Sequence, residues 1–138
     1  MRFVRRTPVF LCLLALLVGS PALAADVKDS PQAKAYTAMW KAVESGDYEA
    51  YKKAHTKETA KMMDQQTKEM KMDAKKTMEF MKDMAPKELK FTDLKVDGKK
   101  ATLSATGKVG GEANKGTISM EEEDGQWRVA KESWTNAK

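Results

Sequence analysis

The chain has 138 residues, with 25 Lys and Arg against 20 Asp and Glu, and a single cysteine and a single histidine. One cysteine excludes a disulfide framework and any cysteine-based zinc site. The formal charge of +5 is misleading, because Arg2, Arg5 and Arg6 all lie in the first six residues; without residues 1–24 the balance is 22 against 20. That near-neutrality removes the electrostatic case for nucleic acid as a partner.

The N-terminus reads as an address. "MRFVRR" is a positive start, "PVFLCLLALLVG" an apolar run, and Ala22-Leu23-Ala24 offers small residues to a signal peptidase. The run falls short of the ~20 apolar residues of a membrane span. Thr7-Pro8 interrupts a twin-arginine pattern after Arg5-Arg6, so general secretion is the expected route. Cys12 follows Val9-Phe10-Leu11 without a small residue before it, which argues against lipoprotein cleavage. Residues 1–24 are predicted to be a signal peptide, cleaved after Ala24 or Ala25, and the mature protein to be periplasmic or secreted.

Residues 25–33 form a polar lead and 34–138 one α+β domain. Ser30-Pro31 is a helix cap followed by proline at the first helical position. Tyr36, Met39, Trp40 and Val43 fall at i, i+3, i+4 and i+7, one apolar face. Gly46 ends this helix, and Asp47 caps a shorter one carrying Tyr48, Tyr51 and Ala54. From Thr56 to Ala85 there is no glycine or proline, so a third, long helix is predicted up to Pro86, with a bend or interruption near its start.

Beyond Pro86 the period changes to two. Leu94 and Val96 alternate, Asp97-Gly98 marks a turn, and Ala101, Leu103 and Ala105 return as a second strand. Phe91 is one residue out of phase with Leu94, which predicts a bulge or a late strand start. "GKVGGEANKG" reads as a loose glycine-rich connection without the ending of a phosphate-binding loop. Ile118 and Met120 define a third strand, Asp124-Gly125 a turn, and Trp127 and Val129 a fourth strand running towards Trp134. Three helices followed by a four-stranded antiparallel sheet are therefore expected.

"AMWKAVESGDYEAYKKA" at 38–54, "LKVDGKKATLSATG" and "ISMEEEDGQWRVAKESW" resemble the opening helices and closing strands of small secreted bacterial domains of the nuclear transport factor 2-like (cystatin-like, SnoaL-like) superfamily. The resemblance covers nearly all of 34–134. It implies a curved sheet around a long helix, an apolar cavity between them, and homodimers formed through the sheet. Catalytic members, such as ketosteroid isomerases and polyketide cyclases, use Asp, His or Tyr in that cavity. No motif here carries those residues over, so no catalytic residue is assigned.

The chemistry-bearing feature is "MKMDAKKTMEFMKDM", residues 70–84, with five methionines. On one continuous helix, Met63, Gln66, Thr67, Met70, Ala74, Thr77, Met78, Met81 and Met84 share a stripe roughly 120° wide, with Met72 opposite. Soft thioethers select Cu(I) or Ag(I), but Met78 and Met84 are about 9 Å apart along a helix axis and roughly 120° apart in rotation. Residues 25–138 contain only eleven Leu, Ile, Val and Phe, and methionine, tryptophan and tyrosine raise the total to 26. The stripe is accordingly expected to be core, lining a malleable apolar pocket with Trp40, Tyr51, Met70, Met78, Met81 and Trp127.

Other candidates are weaker. His55 begins an H-x-x-E with Glu58 that would suit general-base work. Lys61, Lys68, Lys75 and Lys82 recur every seven residues as a basic stripe of the kind that meets anionic headgroups or an acidic partner, but the interspersed Asp64 and Glu79 and the i,i+4 pair Asp64–Lys68 read it as a solvated helix face. Serines lack a nucleophile-elbow context, and Glu121 to Asp124 lack the ligand spacing of a calcium loop. The expected function is an exported, non-catalytic binding or accessory domain, without cofactor, for a small apolar ligand. A methionine-based Cu(I)/Ag(I) protein and a small cavity enzyme with His55 or a buried acid as base are the alternatives.

Overall fold

A computed structural model describes residues 26–138, so the predicted leader lies outside the described residues. After a 3-10 turn at Val27–Asp29, helix α1 spans Pro31–Ser45. The Ser30 side chain accepts from the Ala33 amide, and Gly46 closes the helix in the left-handed region at φ 77°. Asp47 accepts from the Ala50 amide at 2.9 Å and starts α2, Tyr48–Lys53. Thr56 caps α3, Lys57–Glu69, and Asp73 caps α4, Ala74–Met84.

The single long helix predicted over 56–85 is thus two helices, and the physical reason lies in the backbone. The Met72 amide donates to the Thr67 carbonyl at 3.0 Å and the Lys71 amide to Lys68 at 3.2 Å. This is the pair of bonds that closes a Schellman motif, with Lys71 in the left-handed region at φ 51° where glycine is usual. The Asp73 side chain then accepts from the Lys76 amide at 2.8 Å and restarts the helix.

The strands form a meander in the order β1-β2-β3-β4, all neighbours antiparallel: Lys87–Asp97, Lys100–Val109, Glu112–Glu123 and Gln126–Asn136. The glycine-rich segment is strand almost throughout; only Gly110-Gly111 turns, both at positive φ. Asp124-Gly125 turns as predicted, whereas the first hairpin reverses at Gly98-Lys99, one residue later than expected. The predicted bulge is present: Phe91 faces Ala105 and Leu94 faces Leu103, with the register shifting between Phe91 and Asp93.

The inner face of the sheet carries Ala101, Leu103, Ala105, Ile118, Met120 and Val129, all buried. It is covered by α1, whose Tyr36, Met39, Trp40 and Val43 are all buried as their spacing predicts. Each fully buried side chain of this size contributes about 1.5–3 kcal/mol. Helix α4 packs chiefly on α1 and α2 rather than on the sheet. Of the predicted methionine stripe only Met78 is buried, Met63 and Met81 are partly covered, and Met70 and Met84 are 62% and 46% exposed. The main core methionines besides Met78 are Met39 and Met120.

Residues 54–56 shield the outer edge of the sheet. Val129 donates to the Ala54 carbonyl at 2.8 Å and the Thr56 amide donates to Val129 at 2.9 Å, a short parallel bridge centred on His55. Lys52 ties α2 to α3 through Asp64 at 3.2 Å, so Asp64 serves that contact in place of the expected pair with Lys68.

Lys71→Gly distinguishes a broken helix from a continuous one by sign. A left-handed non-glycine residue costs about 1 kcal/mol or more, which glycine relieves, whereas glycine inside a helix destabilises by about 1 kcal/mol. Urea unfolding is expected to show stabilisation of about 1 kcal/mol.

Candidate functional site

After the break at Met70–Asp73, α3 packs on α2 and β4 while α4 packs on α1 and α2, and a half-enclosed groove of about 170 Å³ opens between α3 and α4 above α2. Tyr51 forms its floor at 4% exposure; Met63, Gln66 and Thr67 come from α3, Met70 and Met72 from the break, and Thr77, Phe80 and Met81 from α4. Phe80 is 57% exposed and Met70 62%. The hydroxyls on its walls are engaged, Thr67 donating to the Met63 carbonyl at 2.8 Å and Thr77 to Asp73 at 2.9 Å.

The six predicted pocket residues are therefore divided. Tyr51, Met70 and Met81 line the groove. Met78 is buried in the core, and Trp40 lies in the α1–sheet interior, which Tyr36, Met39, Leu103, Ile118 and Met120 fill. Trp127 borders a different hollow, about 330 Å³ and rimmed by Lys53, Gln126 and Arg128. The methionine-lined groove is on the helical side, while the hollow beside Trp127 lies between α1, α2 and β4 and is the more open of the two.

His55 is buried at 6% exposure, with Nδ1 2.9 Å from the Tyr51 carbonyl and its ring edge-on to Tyr51 at 4.8 Å between centroids. Nδ1 is therefore the protonated nitrogen, donating to that carbonyl. Burial holds its pKa below the ordinary 6.5, against the opposing pull of the backbone bond. Glu58, its supposed partner in H-x-x-E, is exposed on α3. The histidine acts here as a neutral brace beneath the groove floor.

The sequence reading did not single out Glu132. The Tyr36 hydroxyl donates to Glu132 Oε2 at 2.6 Å, on the inner face of the sheet. A register shift between Ser119 and Met120 puts Glu132 opposite Ile118 and Trp134 opposite Gly116, on the same face as Val129. The five-residue separation of Val129 and Trp134 carried the same out-of-phase signal as Phe91 and Leu94. Trp134 lies across Gly116, where an added Cβ would meet the indole at 2.7 Å. The indole N–H groups of Trp40 and Trp134 are buried without an acceptor in bonding geometry. Burial raises the pKa of Glu132, opposed by the Tyr36 hydroxyl and the nearby Trp134 indole, and burial likewise raises that of Tyr36. Among the described residues no three His, Cys, Asp or Glu side chains gather as metal ligands.

The half-buried Glu132 and the buried His55 give opposite pH dependences. Glu132 binds its proton more tightly when folded, so its contribution to stability is present at low pH and is lost as pH rises from the ordinary 4.5 through the raised value. His55 binds its proton less tightly when folded, so its contribution is present above 6.5 and is lost as pH falls through the lowered value. Glu132→Gln keeps the acceptor for Tyr36 and removes the ionisation. Urea titrations are expected to show this variant gaining on wild type as pH rises from 4.5 to neutrality; parallel curves would exclude a raised Glu132 pKa.

No family model matches the chain, and no curated protein matches it. Among solved structures it is similar to a de novo designed protein with a curved β-sheet, at 16% identity and a TM-score of 0.47, covering 75% of this chain and 97% of that one.

Proposed function

We propose that the protein is an exported binding or accessory domain of the nuclear transport factor 2-like kind that takes a small, flexible apolar ligand in the groove between α2, α3 and α4. The observation that carries this reading is the groove itself, mostly apolar in its lining, with Met70 and Phe80 standing open beside it. Methionine suits such a wall, since three rotatable bonds and a polarizable sulfur let it adapt to different shapes. The leader sequence supports export, and helices on one face of an antiparallel meander support the family reading. No helix of the described residues is long and apolar enough to cross a membrane. A homodimer through the outer face of the sheet would rest on polar contacts, because Thr102, Thr117, Ser119, Lys131 and Ser133 stand exposed there.

Titration with the neutral fluorophore N-phenyl-1-naphthylamine tests the reading. One saturable site is expected, weakened about tenfold or more, the equivalent of ~1.4 kcal/mol, by Met70→Asp and by Phe80→Asp. Val96→Asp, at a 53% exposed position on β1, is expected to leave it unchanged. Non-saturable uptake, or equal binding by all variants, would refute the groove as the site.

A further inference from the structure

The aliphatic wall of the groove is methionine alone: Met63 from α3, Met70 and Met72 from the break, Met81 from α4. Where this chain needs only bulk it also uses branched residues, as Val43, Leu103, Ile118 and Val129 show in the core. The four methionines line one groove because the helix is broken. On an unbroken helix Met72 would point away from Met63, Met70 and Met81; with Lys71 at φ 51° all four border one space. Thioethers are neutral, soft donors that favour Cu(I) and discriminate against Ca²⁺ and Mg²⁺. The groove has no carboxylate or imidazole on its wall.

We propose that Met63, Met70, Met72 and Met81 form a site for one soft monovalent cation, Cu(I) or its chemical analogue Ag(I), held by thioether sulfur alone. Binding would draw α3, the break and α4 onto one ion and close the groove mouth. The bonds to sulfur are largely covalent in character, so the exposed lysines nearby do not decide the affinity. This inference goes beyond the apolar-ligand reading and depends on sulfur rather than on apolar area, which makes the two separable.

The test is anaerobic titration of the protein with Cu(I) against the chromophoric competitor bathocuproine disulfonate, with native mass spectrometry after addition of Ag(I). One ion per chain is expected. The double variant Met70→Leu/Met72→Leu, which keeps the apolar bulk, is expected to lose about tenfold or more in Cu(I) affinity with its circular dichroism spectrum and urea midpoint preserved. Met62→Leu/Met84→Leu changes two exposed methionines that do not line the groove and is expected to match wild type. No Cu(I) uptake by the wild type, or undiminished uptake by Met70→Leu/Met72→Leu, would overturn the proposal. A wild type that takes up one Cu(I) but no saturable fluorophore would sustain this proposal while the apolar-ligand reading fails.

Discussion

The packing of α1 on the inner face of the sheet is the contact on which the remaining architecture depends. Tyr36, Met39 and Val43 are fully buried there, against a face built from Leu103, Ile118, Met120 and Val129. Once that face is taken, the methionine-rich segment has no sheet to cover. It becomes an outer layer on α1 and α2, and one buried residue, Met78, is enough to seat it. What an inner helix would have spent on core packing is left facing a groove.

The same interior contains a tension between burial and polarity. A carboxyl group and a phenol meet at 2.6 Å in an otherwise apolar layer, beside two indole N–H groups without acceptors. Buried polar groups of this kind destabilise unless they are well satisfied. Their presence here follows from the bulge in β4, which turns Glu132 inward. The bulge also frees the Ala130 carbonyl to accept from the Thr59 hydroxyl at 2.8 Å, which anchors the start of α3 to the sheet edge. One irregularity in β4 therefore both turns the acid inward and fixes the helix that forms one wall of the groove.

Much of the local structure was legible in the chain. Ser30 with Pro31, Gly46, Asp47 and Thr56 mark helix ends through side-chain or glycine chemistry that acts within a few residues, and each does so here. The Phe91–Leu94 phase error announced its bulge. The break at Met70–Asp73 was not legible, because a Schellman motif is made by backbone groups and its left-handed position is held by lysine; Asp73 was the single local cue. Which helix would cover the sheet is decided by tertiary competition, and the hydrophobic period of the methionine segment fits a core helix as well as a groove wall. Three of the six predicted pocket residues, Tyr51, Met70 and Met81, accordingly meet at the groove, whereas Trp40, Met78 and Trp127 do not.

Oxidation of the native protein by dilute hydrogen peroxide, read out methionine by methionine from peptide masses, tests this two-layer arrangement most directly, since sulfoxide formation follows access to the sulfur. Met62, Met70 and Met84 are predicted to react first, while Met39, Met78 and Met120 stay reduced until the fold is lost. Protection of Met70 and Met84 equal to that of Met39 would mean that the methionine row faces the sheet, and would contradict the account.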